Sequence, residues 1–217
     1  MVSHELKTPL TIIIGALSVA VEKGVTAAES IELLADAVSS ADYLAAIVEN
    51  LLELSRYQSN RLTISKEIAD IRQIAETVAG KLCDKSPLHR IIVDTPEALP
   101  PLSADPLRLE RILYNLVDNA IKYSPKGGEV RIFARHVDGS TVIGVRDQGT
   151  GIPAKDQARL FQSFERLNMY DKSNTPGIGL GLRVCRILVE AHNGRIWVES
   201  EPDKGSTFYF SLPVDKR

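Results

Sequence analysis

The fourth residue of the chain is a histidine with a carboxylate beside it, in the run Ser3-His4-Glu5-Leu6-Lys7-Thr8-Pro9-Leu10. An unprotonated imidazole, with an ordinary pKa of about 6.5, can accept and release a group near neutral pH. Glu5 is the nearby group able to take the ring proton or hold the tautomer. If this run is helical, Thr8 stands one turn from His4 on the same face. Pro9 lacks a backbone donor and its ring clashes with the carbonyl of Glu5, so a bend is expected just past the imidazole.

Three further groups of residues point to a phosphorylated ligand. In Asn115-Leu116-Val117-Asp118-Asn119-Ala120-Ile121-Lys122-Tyr123, the amides of Asn115 and Asn119 share a helical face, and the ammonium of Lys122 lies close to the same stripe. Amide oxygens suit a hard cation that keeps several waters and phosphate oxygens, and lysine supplies a point charge to phosphate. Asp147 ends an apolar run and is followed by Gly149 and Gly151, which let a backbone come close to a ligand; the carboxylate could accept from an exocyclic amine. Gly177, Gly179 and Gly181, in Gly177-Ile178-Gly179-Leu180-Gly181-Leu182, precede a helical pattern, an arrangement that turns free amides and the positive helix end toward phosphate.

Commoner motifs fail on particular residues. A zinc-peptidase helix needs a second histidine where Thr8 stands. A dinucleotide fingerprint would need glycine at Leu182 or Val184, and an apolar strand where the polar run Lys172 to Pro176 lies. No G-x-x-x-x-G-K-[ST] run occurs, which excludes a P-loop.

These groups must be held by elements that the apolar spacing predicts. A helix is expected from Val2 to about Val21, with Leu10, Ile13, Leu17 and Val21 on one stripe. After Lys23-Gly24-Val25-Thr26 a second helix opens near Ala27. Its residues Ile31, Leu34, Val38, Ala41, Ala45, Val48 and Leu52 follow a heptad rhythm, with Leu44, Ile47, Leu51 and Leu54 as a parallel seam. Two such helices cannot bury two seams alone, so a four-helix bundle made by two chains is expected; the alternative is a monomeric hairpin packed on a second domain. The pattern dissolves at Tyr57 to Arg61, the expected linker.

Beyond the linker a strand near Ile64 to Ile68 leads to a helix from Asp70 to about Lys85 and a strand at Arg90 to Asp94. A helix is expected from Pro106 to Tyr123, and strands at Glu129 to His136 and Thr141 to Asp147 meet at Asp138-Gly139-Ser140. A loop-rich stretch reaches Pro176. A helix from Gly179 to His192 and strands at Arg195 to Ser200 and Thr207 to Leu212 close the chain. This mixture implies a sheet covered on one face by helices, an α+β sandwich that follows the helical hairpin. The domains are therefore expected at residues 1–58 and 59–217.

In these 217 residues, 26 basic side chains face 28 acidic ones, for a formal charge of -2; nothing in the bulk electrostatics asks for nucleic acid or an anionic membrane. Cys83 and Cys185 lack metal-ligand spacing and sit in apolar helical patterns, which suits buried thiols in a reduced cytoplasmic setting. No apolar run is long enough to span a bilayer, so this segment is expected to make no membrane contact of its own, although a tether to a membrane sensor in a longer protein is compatible. A histidine so near the start suggests an excised or truncated core, whose bundle is expected to associate more weakly and to fray around His4.

Taken together and in this order, the motifs resemble the catalytic core of the sensor histidine kinases of two-component signalling, over nearly the whole chain. The resemblance implies a phospho-acceptor box in which His4 is phosphorylated, Glu5 assists as base, and Thr8 places water for the reverse, phosphatase, reaction. It implies an N box of Asn115, Asn119, Lys122 and Tyr123, with Asn119 on Mg2+, and a Bergerat-type ATP site in which Asp147 reads the 6-amino group of adenine beside Gly149 and Gly151. Gly177, Gly179, Leu180, Gly181 and Leu182 resemble the second glycine box. Leu160 to Arg166 resembles the F box of a lid, with Arg166 as a phosphate contact. Gly205-Ser206-Thr207-Phe208 resembles the last box, with Thr207 near the base. Ile178 departs from the small hydroxyl residue often found there, which leaves only backbone contacts to phosphate. The implied partners are a homodimer mate and the receiver domain of a response regulator. A phosphorelay scaffold without ATP chemistry would have no need of the metal and glycine boxes. A chaperone- or topoisomerase-like ATPase would have no need of an acceptor histidine.

Overall fold

Heptad spacing over the first fifty-eight residues produces two long antiparallel helices, α1 over Val2–Ala20 and α2 over Ala27–Gln58. The computed structural model describes residues 2–22, 25–83, 86–96, 99–162 and 179–214. Helix α1 runs on through Pro9, and the hydroxyl of Thr8 donates to the carbonyl of His4 at 3.1 Å. Helix α2 starts at a capping box: the Thr26 hydroxyl accepts from the amide of Glu29, and the Glu29 carboxylate accepts from the amide of Thr26. This reciprocal pair satisfies amides that have no partner inside the first turn.

The two seams of α2 have different fates. Ile47 is buried and Leu44, Leu51 and Leu54 are half-buried, whereas Ile31, Leu34, Val38, Val48 and Leu52 stay 43–67% exposed. On α1, Leu10 and Leu17 are exposed as well, as is Val21 just past its end. One seam thus packs within the chain, and the other lies open.

The chain leaves α2 at Ser59 and Asn60, the latter at φ 55°, and enters the α/β part. Its elements are β1 (Glu67–Ala69), α3 (Ile71–Cys83), β2 (His89–Asp94), β3 (Leu102–Ala104), α4 (Pro106–Lys122), β4 (Gly128–Val137), β5 (Ser140–Arg146), α5 (Ala154–Gln157), α6 (Gly181–Ala191), β6 (Arg195–Ser200) and β7 (Ser206–Pro213). The first strand is shorter and later than the spacing implied, because Ile64 is not part of it. It pairs antiparallel with β3, for which the apolar spacing gives no signal, and the short α5 interrupts the stretch expected to be loop. The main sheet has the order β2-β4-β5-β7-β6, with β2 and β4 parallel and the other neighbours antiparallel.

Alternation decides which face is covered. Val130, Ile132, Ile143, Val145, Phe208, Phe210 and Leu212 point into a core shared with the apolar sides of α3, α4 and α6. The other face carries Phe133, Trp197 and Tyr209, with Trp197 stacked on Tyr209 at 5.2 Å. The β4–β5 hairpin closes at Asp138 and Gly139, both at positive φ (48° and 75°), as a two-residue turn between right-twisted strands requires.

A buried polar junction sets the start of α4. Asp105 caps the helix by accepting from the amide of Arg108, its second oxygen accepts from the amide of Ser65, and its own N–H donates to Nε2 of the buried His192 at 3.0 Å. The expectation of two buried thiols fails for one of them: Cys185 is buried, but Cys83, in the last turn of α3, is exposed. Among the described residues, no helix is long and apolar enough to cross a membrane.

Candidate functional site

The hairpin lies against α4 and α6, and this contact brings the acceptor box to the nucleotide boxes. Ile47 and Leu180 are both buried at the junction, with Leu6, Tyr43, Leu51 and Leu54 packed against them. Leu6 lies two residues past His4, and Leu180 opens α6. The Tyr43 hydroxyl donates to Glu5 Oε2 at 3.3 Å, and Lys122 Nζ lies 5.8 Å from the centroid of the Tyr43 ring. His4 itself is exposed, and its ring makes no hydrogen bond among the described residues.

A charged clamp closes the same junction one turn further along α2. Glu53 is 1% exposed; its Oε1 accepts from Arg108, lies 3.6 Å from Arg111 Nη1, and is 3.0 Å from Arg56 of its own helix. Burial lowers the pKa of Arg111 first, against the opposing pull of Glu49 and Glu53. Sequence reasoning passed over both Tyr43 and Glu53. The available signal was an acid directly beside Leu54 in the inward seam, where a solvated residue has no place.

Helix α4 carries the amide face. Lys122 Nζ is 2.6 Å from Asp118 Oδ2. Asn119 is half-buried and its side chain makes no hydrogen bond among the described residues. Asn115 turns toward the start of α6: its Oδ1 lies 3.5 Å from where a Cβ on Gly181 would stand, and its buried side-chain amide lies beside the Cys185 thiol. Tyr123 caps the helix, its exposed side chain at the surface and its carbonyl accepting from the amide of Thr150.

That carbonyl and the carbonyl of Glu201 explain the first glycine pair. A Cβ on Gly149 would sit 2.2 Å from the Tyr123 oxygen, and one on Gly151, at φ 66°, would sit 1.9 Å from the carbonyl of Glu201. The loop can thread between α4 and the β6–β7 turn only without side chains there. Threading it places Asp147, 3% exposed, with Oδ1 accepting from the amides of Gly149 at 2.8 Å and Ser206 at 3.1 Å. Burial raises the pKa of this carboxyl, and the two amide bonds oppose the rise. With Oδ1 taken, Oδ2 is the oxygen left for an incoming donor.

Thr207 is not brought to Asp147. It pairs with Arg146 across the strands, and its side chain lines a groove of about 330 Å³ on the outer sheet face with Arg131, Phe133, Arg146 and Tyr209. Ser206, one residue earlier, holds the Asp147 side. Gly179 adopts φ 70°, and α6 begins after Leu180 with no side-chain cap among the described residues. The side chain of Leu180 is spent on the hairpin contact and that of Leu182 on the core, so both can meet a nucleotide through backbone alone. Phe161 is core, packed edge-on against Phe208 at 6.4 Å. Arg166, Gly177 and Ile178 lie outside the described residues.

Residues 104–216 match the family of histidine kinase-, DNA gyrase B-, and HSP90-like ATPases, and residues 1–60 match the His Kinase A (phospho-acceptor) domain. The chain belongs to the histidine kinases. Among curated relatives of this histidine kinase core is the adaptive-response sensory kinase SasA of Synechococcus elongatus, 37% identical over 227 residues, covering 99% of this chain and 58% of SasA. The chain spans about half the length of the curated relatives it matches. Among solved structures, the histidine kinase AdeS of Acinetobacter baumannii superposes with a TM-score of 0.74 at 26% identity, covering 98% of both chains. Full-length ShkA, solved in complex with AMPPNP, gives 0.73 at 27% identity, covering 99% of this chain and 45% of ShkA.

Proposed function

We propose that residues 1–58 form a dimerising phospho-acceptor hairpin and residues 59–217 an ATP-binding catalytic domain, and that the kinase phosphorylates itself on His4. From there the phosphoryl group passes to an aspartate of a response-regulator receiver domain. The observation that carries this reading is the junction itself: Leu6 and Tyr43 of the hairpin meet Leu180 and Lys122, so the acceptor box and the nucleotide boxes share one surface.

In the transfer, a nitrogen of the neutral His4 ring forms a bond to the γ-phosphorus while the bond from that phosphorus to the β-phosphate oxygen breaks. ADP leaves, and the ring proton passes to the Glu5 carboxylate. Asp147 Oδ2 accepts from the 6-amino group of adenine and so selects the base. The uncapped amides at the start of α6, with Gly179, Gly181 and the backbones of Leu180 and Leu182, take phosphate oxygens, and Lys122 leaves Asp118 to join them. Gly177 and Arg166 complete the phosphate contacts in this reading.

Magnesium, when bound, neutralises phosphate charge. Asn119 would hold it, with Asn115 bracing the start of α6. No cluster of three His, Cys, Asp or Glu side chains that could cage an ion stands among the described residues. One amide oxygen therefore fits an ion that arrives on the nucleotide and keeps its waters. In the reverse direction Thr8 positions the hydrolytic water by accepting from it, since its own hydrogen is given to the His4 carbonyl.

Incubation with ATP labelled at the γ-phosphate tests the core of the reading. The wild type is expected to gain an acid-labile, alkali-stable label that His4→Gln abolishes while ATP affinity stays unchanged. Label on the variant at the wild-type level would refute the assignment of His4. Asn119→Ala should remove magnesium-dependent labelling, and GTP replacing ATP equally well would refute the role given to Asp147.

A further inference from the structure

Tyr43 occupies a place that no motif assigns. It sits on α2, thirty-eight residues from the acceptor box, yet its hydroxyl reaches Glu5, the carboxylate adjacent to the phospho-acceptor. The face of its ring meets the ammonium of Lys122, on the helix of the amide face. The ring itself is wedged among Leu6, Ile47 and Leu180, so its direction is set by the same contact that docks the two parts of the chain. A phenol held in this way has one polar atom to place, and it places it on the base.

We infer that Tyr43 is a positioning residue for the phosphoryl transfer, a role that rests on the proposed phosphorylation of His4. Its hydroxyl holds the Glu5 carboxylate in the orientation from which that group takes the imidazole proton. A free glutamate on the surface of a helix samples several rotamers, and a donor on Oε2 selects among them. Because the ring also meets Lys122, the base is oriented only when the nucleotide-binding helix is docked against the hairpin. An undocked chain would keep its histidine and its glutamate but lose their alignment.

A double-mutant cycle in the intact chain separates this role from ordinary packing. Tyr43→Phe keeps the ring, its packing and its contact with Lys122, and removes only the hydroxyl. The expected result is a maximal rate of His4 labelling lower by about tenfold, with the KM for ATP unchanged. Glu5→Gln should be slower by about a hundredfold. In that background Tyr43→Phe should have no further effect, since the carboxylate it positions is gone. Wild-type rates in Tyr43→Phe, a raised KM, or losses that multiply in the double variant would overturn the role. A wild-type chain that takes no label on His4 would sink the proposed function and this role with it, whereas a labelled wild type leaves the cycle to decide on Tyr43 alone.

Discussion

The hairpin and the α/β sandwich are built by the same rule of apolar spacing, yet only one of them consumes its apolar surface. In the sandwich, Phe210, Leu113, Leu116 and Ile132 have no exposure at all, and three helices share one core with the five-stranded sheet and the β1–β3 pair. In the hairpin, the buried apolar side chains among the described residues are Pro9, Ala16, Ala37 and Ile47, while long stretches of α1 and α2 keep Leu10, Ile12, Ile14, Leu34 and Val38 in the open. A layered sheet with helices closes on itself, whereas two helices have too few faces to do so. The sandwich closes its own core while the hairpin keeps apolar faces open, and that difference is the physical ground for the proposed dimer.

The contrast can be broken at its strong side first. Phe210→Ala should cost about 3–5 kcal/mol of unfolding free energy, by removing a fully buried ring from the sandwich core. The loss, read from urea denaturation, should not depend on protein concentration; a concentration-dependent loss would mean that the sandwich too relies on a partner. Next is the clamp between the two regions. Glu53→Ala leaves Arg108 with Asp105 at 4.0 Å and Arg111 with the exposed Glu49 at 3.5 Å, removes the buried carboxylate they share, and should weaken docking by about 1–3 kcal/mol. Proteolysis in the connecting residues 59–66 should then speed up, and the two regions should melt separately; an unchanged single transition would show that the clamp contributes nothing.

A smaller effect belongs to His192, inside the sandwich. Its Nε2 accepts from Asp105 and its Nδ1–H donates to the Leu188 carbonyl at 2.7 Å, so the folded ring is neutral. Burial lowers its pKa, helped by Lys66 and Arg108 and opposed by the Leu188 carbonyl and Asp105. The unfolded chain therefore takes up the proton first as pH falls. This contribution is complete above the ordinary value of 6.5 and is lost progressively below it. The urea midpoint should drop as the pH falls through about 6.5 and below, and His192→Gln should flatten that part of the drop. An identical slope in both proteins would rule the residue out.

The smallest change in the single chain is Val38→Asp. Val38 is 63% exposed, so the stability of the isolated chain should move by no more than about 0.5 kcal/mol. Light scattering across a dilution series should nevertheless show association lost, because a carboxylate in a heptad seam cannot be buried against its twin. A variant that associates like the wild type would place the dimer surface elsewhere on the chain.

What the sequence could reveal follows the range of the interactions concerned. Helical spacing and cap chemistry are local, so α1, α2, α4 and α6 are legible to within a few residues, as is the glycine pair that threads past Tyr123. The three-residue β1 and β3 are set by each other across 35 residues and by the prolines around them, and neither has a pattern of its own. Thr207 was assigned to the wrong side because strand side chains alternate, and the choice between Ser206 and Thr207 depends on register with β5. Tyr43 and Glu53 look like polar positions on a solvated helix until α4 and α6 are laid against them. Their meaning is a tertiary fact.

The thiol of Cys185 is wholly buried between α6 and the Ile112 carbonyl of α4, 3.7 Å away, and burial pushes its pKa up to about 12. Alkylating reagents attack thiolates, so this sulfur is silent while the two helices stay together, whereas exposed Cys83 reacts freely. The ratio of modification at the two sites is then a clock for the parting of α4 and α6, with its reference standard in the same molecule. Mass spectrometry of the native chain can read that clock with and without ATP, and no foreign label need be attached.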